Sequence, residues 1–264
     1  MTTFITILMF IFGTIMGSFL NVVALRWNTG KTALSGRSKC VNCNKTLHSH
    51  ELVPLFSFLF QRGRCRGCKS RLSFQYPLVE FITGVVYAGI FLSVGGIFMA
   101  EPFYLFLSLA YFCTIASILI VIGIYDTHHK IVPNELVYSF IAISFFGMFL
   151  TRDVTLIWDI LAGPIVALPF FLIWLFSKGR FMGFGDIKII FGIGFFLGLY
   201  GAIAGVLISF WIGAIFVLFF AILKRAKVTF GTEIPFAPFL IVGTLIALLF
   251  SVDITDIISL LTFY

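Results

Sequence analysis

Apolar runs separated by short polar stretches follow one another along the whole 264-residue chain. An uncharged helix of about 17–25 residues is long enough to cross a lipid bilayer. On this criterion the pattern predicts eight membrane helices, at about 4–25, 76–99, 103–125, 136–150, 159–177, 187–199, 201–223 and 235–252. The sixth and seventh are divided at GLYGAIAG (198–205), because 35 uncharged residues are too many for one crossing. The predicted fold class is therefore an all-α polytopic membrane protein.

Composition agrees with this fold class. Hydrophobic residues make up 60% of the chain and charged residues 11%, whereas soluble domains are about 25% charged. The first apolar segment has no basic residues before it and no small-x-small cleavage motif after it. We therefore expect it to be a retained membrane helix rather than a signal peptide.

The basic residues are distributed unevenly between the predicted loops. If the N-terminus lies outside, seventeen of the eighteen Lys and Arg residues fall on the cytosolic side, ten of them in segment 26–75. Arg152 is then the one external basic residue. This asymmetry fits the positive-inside rule, so we predict an external N-terminus and a cytosolic segment 26–75. The net charge of +7 is explained by this topology, and we expect no nucleic acid as a partner.

Segment 26–75 contains two C-x2-C pairs. The four cysteines are Cys40, Cys43, Cys65 and Cys68. Such spacing lets a tight turn direct two sulfurs toward one ion, and two pairs complete a tetrahedron for Zn²⁺. Disulfides are rare in the cytosol, and so short a segment buries little core without a metal, so the pattern predicts a structural zinc site. Two redox motifs are the alternative, and His48 and His50 are interpreted as loop residues rather than ligands.

Two aspartates stand at the ends of predicted membrane helices on the cytosolic side. Asp126 ends the third apolar segment and Asp186 precedes the sixth. Ionisable groups at such positions are costly and point to function. Two carboxylates held about 3 Å apart share a proton, so one activates a water while the other donates to the scissile carbonyl. Because the pair titrates as a unit, base and acid are not assigned separately.

Five neighbouring residues are predicted to support this pair. Gly183 and Gly185 allow close approach of the backbone to a substrate strand. Pro133 turns the chain after Asp126, with Asn134 beside it, and Lys188 anchors the helix end. Two simpler interpretations stay open on local grounds: Asp186 as a helix N-cap, and both aspartates as solvated charges.

Six motifs resemble, in order, those of the type IV prepilin peptidases, a branch of the GxGD aspartyl proteases. They are GSFLNVVALR (17–26), ELVPLFSFL (51–59), YPLVEFITG (76–84), DTHHKIVPN (126–134), GFGDIK (183–188) and IPFAPFL (234–240). The four-cysteine segment occupies the place that it has in that family. The resemblance departs at Ala237, where the family usually has glycine, and its DTHHKIVPN motif carries Val132 before the proline.

The resemblance implies cleavage of the leader peptide of type IV prepilins or pseudopilins at the cytosolic face of a bacterial cytoplasmic membrane. Asp126 and Asp186 would be its catalytic aspartates. It also implies N-methylation of the new amino terminus, with S-adenosylmethionine as methyl donor. No glycine-rich nucleotide-binding fingerprint supports this second activity independently.

Four polar residues are further candidates for contact with the substrate or the methyl donor. They are Asn21, Arg26, Glu51 and Glu80. Hydrogen bonding between packed helices is the alternative for Asn21, and a solvated loop charge is the alternative for Glu51. For Glu80 the alternative is a buried ion pair with a basic loop residue.

The predicted organisation has three parts: a first membrane helix (1–25), a cytosolic four-cysteine loop (26–75) and a transmembrane aspartyl peptidase core (76–264). Two other functions are alternatives to this prediction. A presenilin-like or signal-peptide-peptidase-like protease would share GFGD. It should also carry a Pro-Ala-Leu motif near the C-terminus, which this sequence lacks. An ion transporter would place its carboxylates near the bilayer midplane and contain inverted repeats.

Overall fold

The computed structural model describes residues 2–30, 32–33, 36–98, 101–151, 156–224 and 235–262. It is built from α-helices: α1 Thr2–Arg26, α2 Phe56–Phe60, α3 Gln75–Phe98, α4 Pro102–His129, α5 Asn134–Thr151, α6 Leu156–Ser177, α7 Phe184–Lys224, α8 Ala237–Leu249 and α9 Ile254–Thr262. Within the described ranges, β-structure is limited to two isolated bridges. The expected all-α fold class is confirmed.

Six helices in the described part of the chain are long and apolar enough to cross a membrane, namely α1, α3, α4, α5, α6 and α7. The helix α7 is interrupted at Gly198, whose φ of 74° and ψ of 178° are not helical. This break lies where the sequence predicted a division between two crossings. The shorter apolar helix α8 corresponds to the last predicted segment. The total of eight crossings stays a prediction.

The chain forms two compact units, Met1–Leu92 and Ser93–Tyr264. In the first unit, α1 and α3 approach closely because small residues face each other. A Cβ atom on Gly13 would lie 2.7 Å from the Thr83 carbonyl oxygen, and one on Gly17 would lie 2.8 Å from Glu80 Cα. Between the two helices the chain forms the four-cysteine loop.

In the second unit, α7 packs against α5, α6 and α8, while α4 packs against α5 and α8. The core of this unit is aliphatic and aromatic, with Ile122, Phe140 and Ile193 fully buried. Gly194 permits the α6–α7 contact, since a Cβ there would lie 2.5 Å from Gly163 Cα. This arrangement brings the C-terminal end of α4 toward the N-terminal end of α7. Arg152 and segment 225–233, used in the topology prediction, lie outside the described residues.

Candidate active site and metal site

Asp126 lies in the last turn of α4, and its side chain is buried, with 4% exposure. The helix ends three residues later, at His129, because Lys130 adopts a left-handed conformation (φ 53°). The Lys130 N–H donates to the Asp126 carbonyl oxygen at 2.8 Å, which caps the final turn. Pro133 follows and cannot continue the helix. The Val137 N–H donates to the Pro133 carbonyl oxygen at the start of α5.

Asp186 lies in the first turn of α7 and is also buried, with 9% exposure. Its N–H donates to the Gly183 carbonyl oxygen at 3.2 Å. Since α7 begins at Phe184, Asp186 is inside the helix and is not its N-cap residue. The N-cap interpretation of the sequence is therefore wrong in detail, although a carboxylate in this turn still interacts favourably with the helix dipole.

The two aspartates are brought together by close backbone packing. A Cβ atom on Gly185 would lie 2.8 Å from the Cβ of Val132, so only glycine lets the start of α7 approach the segment after α4 so closely. The Asp126 and Asp186 carboxyl groups interact electrostatically. Asp126 Oδ2 is buried and has no hydrogen-bond partner among the described residues. An unpaired acceptor beside a second carboxyl group is suited to bind a proton or a water.

Lys188, near the start of α7, forms hydrogen bonds with residues of α5 at the protein surface. Its Nζ donates to Asn134 Oδ1 at 2.7 Å and to the Tyr138 hydroxyl at 3.2 Å. The same ammonium group lies 5.1 Å from the centre of the Phe184 ring. Lys188 thus connects α5 to α7, rather than only anchoring one helix end. The sequence does not predict this role of Tyr138, because nothing in its local pattern indicates a contact across 50 residues.

The four cysteines form a single cluster in the first unit. Their sulfur atoms all lie within 4.8 Å of one another. The two motifs fold alike: Cys40 N–H donates to the Lys45 carbonyl oxygen, Cys65 N–H donates to that of Ser70, and both bonds are 2.9 Å long. Four convergent sulfurs are a ligand set for a tetrahedral metal ion, and His48 and His50 are not part of it.

The thiols of this cluster differ in acidity because their surroundings differ. The Ser70 hydroxyl, 3.1 Å from Cys68 Sγ, and the Ser70 N–H lower the pKa of Cys68 to about 6. The Lys45 N–H favours the thiolate of Cys43, but partial desolvation and the neighbouring sulfurs raise its pKa to about 11.

Three of the four further candidates line one cavity of about 750 Å³ in the first unit, namely Arg26, Glu51 and Glu80. Residues 25 to 54 positions apart are brought to one place by α1, the loop and α3. The cavity wall also contains Tyr76 and Phe58, which add aromatic surface. Its volume is within the range of about 300–1,000 Å³ that is usual for small-molecule sites.

The hydrogen-bond partners of Asn21, Glu51 and Glu80 indicate different roles for these three residues. Asn21 is fully buried and hydrogen-bonds to Gly17, Tyr76 and Gln75, which favours the helix-packing alternative. Glu51 is 5% exposed rather than solvated, and it accepts from the His48 N–H at 3.0 Å and from Lys45 Nζ at 3.4 Å. The expected basic partner of Glu80 is replaced by a backbone donor, the Leu55 N–H at 2.8 Å.

Comparison with known proteins assigns the family. The model of the bacterial peptidase A24 N-terminal domain matches residues 11–94, and the model of the type IV leader peptidase family matches residues 113–218. A prepilin leader peptidase/N-methyltransferase of Bacillus subtilis (strain 168) is 31% identical over 247 residues, covering 92% of this chain and 93% of that protein. The chain belongs to the type IV leader peptidase family.

Other relatives of this type IV leader peptidase family carry the same name. The prepilin leader peptidases/N-methyltransferases of Stutzerimonas stutzeri and Pseudomonas aeruginosa are each 27% identical to this chain, over 273 and 270 residues. They cover 93% and 92% of it, and 90% and 89% of their own lengths. No solved structure matches the chain significantly. The family resemblance drawn from the ordered motifs is confirmed, and the protein is a multi-pass membrane protein.

Proposed function

We propose that the protein is a membrane-embedded aspartyl endopeptidase that removes the leader peptide of type IV prepilins or pseudopilins. The observation that carries this proposal is the pair Asp126–Asp186, two buried carboxyl groups on helix ends that Gly185 and Val132 bring together. Both stand in motifs of a family whose named members are leader peptidases.

The chemistry follows from the pairing. Two neighbouring carboxyl groups cannot both ionise easily, so they hold one proton between them. The ionised oxygen removes a proton from a water molecule, which attacks the scissile carbonyl while the other carboxyl group donates its proton to the carbonyl oxygen. Asp126 Oδ2, which is buried and has no hydrogen-bond partner in the described part of the chain, is available for this exchange.

Cleavage of a prepilin leader by purified protein tests this assignment. Asp126→Asn and Asp186→Asn should each lower the cleavage rate by about 10²–10⁴-fold or more, because each removes one half of the acid–base pair. Asp253→Asn, at an exposed aspartate, is the matched control and should cleave normally. Full cleavage by either catalytic-site variant would rule out the pair.

The proposed topology has the N-terminus outside and residues 26–75 in the cytosol, in the bacterial cytoplasmic membrane. The distribution of Lys and Arg supports this orientation. In this orientation, the C-terminal end of α4 and the N-terminal end of α7, which carry the two aspartates, would lie at the cytosolic face. The proposed functional division is the first helix (1–25), the loop (26–75) and the peptidase core (76–264).

We assign Zn²⁺ to the cysteine cluster as a structural ion. Four thiolates suit zinc and leave no open coordination position, so the metal would hold the two C-x2-C turns together rather than react. Cys40, Cys43, Cys65 and Cys68 would be its ligands. Elemental analysis should find about one zinc per chain, lost in the Cys40→Ser, Cys65→Ser variant and kept in Cys113→Ser. Metal-free but intact protein would overturn the assignment.

The second proposed activity is methylation of the new amino terminus from S-adenosylmethionine, which supplies the methyl group. The cavity beside the cysteine loop supports it, because its volume suits such a molecule and it offers both signs of charge. Arg26 matches a carboxylate, and Glu51 matches an ammonium group. Labelled methyl donor should transfer to cleaved substrate, and Arg26→Ala should raise the KM for the donor. Absence of transfer would leave a peptidase alone.

The competing functions receive less support. The aspartates are at helix ends rather than in the middle of helices, which argues against an ion site near the bilayer midplane. The family match also does not favour a presenilin-like protease.

A further inference from the structure

Leu55 forms a strained turn in the loop between α1 and α3. Its φ is 61° and its ψ is −53°, a conformation that leucine rarely adopts. The Phe56 N–H donates to the Pro54 carbonyl oxygen at 2.6 Å, so the hydrogen bond encloses Leu55 alone. This is a three-residue γ-turn of the rare form with positive φ, which is costly for a residue with a side chain.

A buried carboxyl group holds this turn. Glu80 Oε2 accepts the Leu55 N–H at 2.8 Å, and Glu80 is only 7% exposed. Glu80 stands where α3 packs closely on α1, because a Cβ atom on Gly17 would lie 2.8 Å from Glu80 Cα. One side chain on α3 therefore holds the loop beside the α1–α3 contact. Because the oxygen of a buried carboxyl group is expensive to leave unpaired, this contact supplies a reason for the strained conformation to persist.

The turn forms part of the cavity wall. Leu52, Ser57 and Phe58, on either side of Leu55, line the cavity together with Glu80. The Leu59 N–H donates to the Leu55 carbonyl oxygen, so the direction of α2 also depends on this residue. If Leu55 relaxed to negative φ, the chain on both sides would leave its present direction, and the wall would change shape.

We propose that Glu80 is a positioning residue, which holds Leu55 in the strained turn and thereby sets the shape and ligand affinity of this cavity. The identity of the ligand, S-adenosylmethionine, rests on the proposed function. In this role Glu80 acts through the loop backbone. A glycine at position 55 adopts positive φ without strain, so it should reduce the dependence of the turn on Glu80.

The test compares Glu80→Ala with two double variants in full-length protein. Glu80→Ala should speed hydrogen exchange of residues 53–60 about tenfold or more and weaken S-adenosylmethionine binding about tenfold, because the acceptor is lost. Adding Leu55→Gly should reverse most of both effects. Adding Leu52→Gly should reverse neither, since Leu52 has a φ of −115° and carries no such strain. Glu80→Gln, which keeps an acceptor oxygen, should lie between wild type and Glu80→Ala, and it replaces Glu80→Ala if that variant does not fold.

Three results would overturn the proposal: unchanged exchange after loss of Glu80, equal effects of the two glycines, or altered exchange with unaltered donor affinity. A wild-type protein that binds no methyl donor would instead contradict the proposed methyl transfer. The exchange measurements, together with the two glycine variants, then decide the positioning role by themselves.

Discussion

Gly183 and Gly185 stand two positions apart, yet the space around them differs. A Cβ on Gly185 would lie 2.8 Å from Val132 Cβ, whereas a Cβ on Gly183 would meet only Asp186 Oδ2, at 3.6 Å. The first distance requires the backbone to shift and the second is ordinary van der Waals contact. The sequence predicts that Gly185 allows close approach to a substrate strand. In the structure, the close approach at Gly185 is to Val132 of the same chain.

Gly185→Ala should consequently impair cleavage by separating the two aspartates. We expect at least a tenfold loss of kcat, because a displacement of about 1 Å costs up to 10²-fold. Gly183→Ala is the control and should retain activity within about threefold. Adding Val132→Gly, which removes the clashing Cβ, should restore part of the loss in Gly185→Ala. The same kinetic effect from both alanine variants would contradict this account.

Glu51 is expected to make the four-cysteine loop sensitive to acid. The His48 N–H and the Lys45 ammonium hold the pKa of Glu51 below its ordinary value of 4.5. A carboxylate with a lowered pKa contributes stability that is complete above the ordinary value and is lost as the pH falls through the folded-state pKa.

Limited proteolysis of the loop between pH 3 and pH 7 measures this contribution. Wild-type protein should lose resistance below pH 4.5, and Glu51→Gln should be less resistant at pH 7 with a smaller further loss on acidification. A metal ion held by the four cysteines would also be released in acid, so the comparison is between the two proteins at each pH. Parallel curves would show that Glu51 is not the group responsible.

At the scale of helices and loops, Lys188 forms a polar contact between α5 and α7 beside the aspartates. Its bonds to Asn134 and Tyr138 are exposed at the surface, so each is worth only about 1 kcal/mol. Lys188→Met keeps the length of the side chain and removes the donors. We expect a lower thermal midpoint, by a few degrees, and slower cleavage.

A double-mutant cycle identifies the partner. If the 2.7 Å bond to Asn134 carries the effect, Asn134→Ala should cost almost nothing further in the Lys188→Met background. Tyr138→Phe, which keeps the ring and removes the hydroxyl, is the control for the second bond. Fully additive losses from Lys188→Met and Asn134→Ala would mean that the two residues act separately.

At the scale of the whole molecule, the proposed activities belong to different compact units. The cysteine cluster and the cavity lie within Met1–Leu92, and the aspartate pair lies within Ser93–Tyr264. The two family models divide the chain in nearly the same way, at residues 11–94 and 113–218. The chemistry of one unit should therefore survive loss of the chemistry of the other.

Asp186→Asn should accordingly keep S-adenosylmethionine affinity within about twofold of wild type, and should methylate a substrate supplied already cleaved. Arg26→Ala should show the reverse: methylation is impaired and leader cleavage is kept. Equilibrium binding of the labelled donor and transfer to the cleaved substrate are the measurements. Loss of donor binding in Asp186→Asn would show that the two sites depend on each other.

Much of the fold and site followed from the sequence because the relevant signals are local or ordered. Uncharged runs of membrane length predicted the helices, and C-x2-C spacing predicted the cysteine cluster. The order of motifs indicated the family and singled out Asp126 and Asp186. Each of these inferences needs only the residue types and their separation along the chain.

Only the tertiary structure decided how these elements meet. It packed Gly185 on Val132, paired Lys188 with Asn134, and gave Glu80 a backbone N–H in place of the basic partner expected. It also collected Arg26, Glu51 and Glu80 around one cavity. A sequence records hydrophobicity and spacing, whereas these contacts depend on helix crossing, loop direction and backbone angles such as that of Leu55, which are set by packing between distant residues.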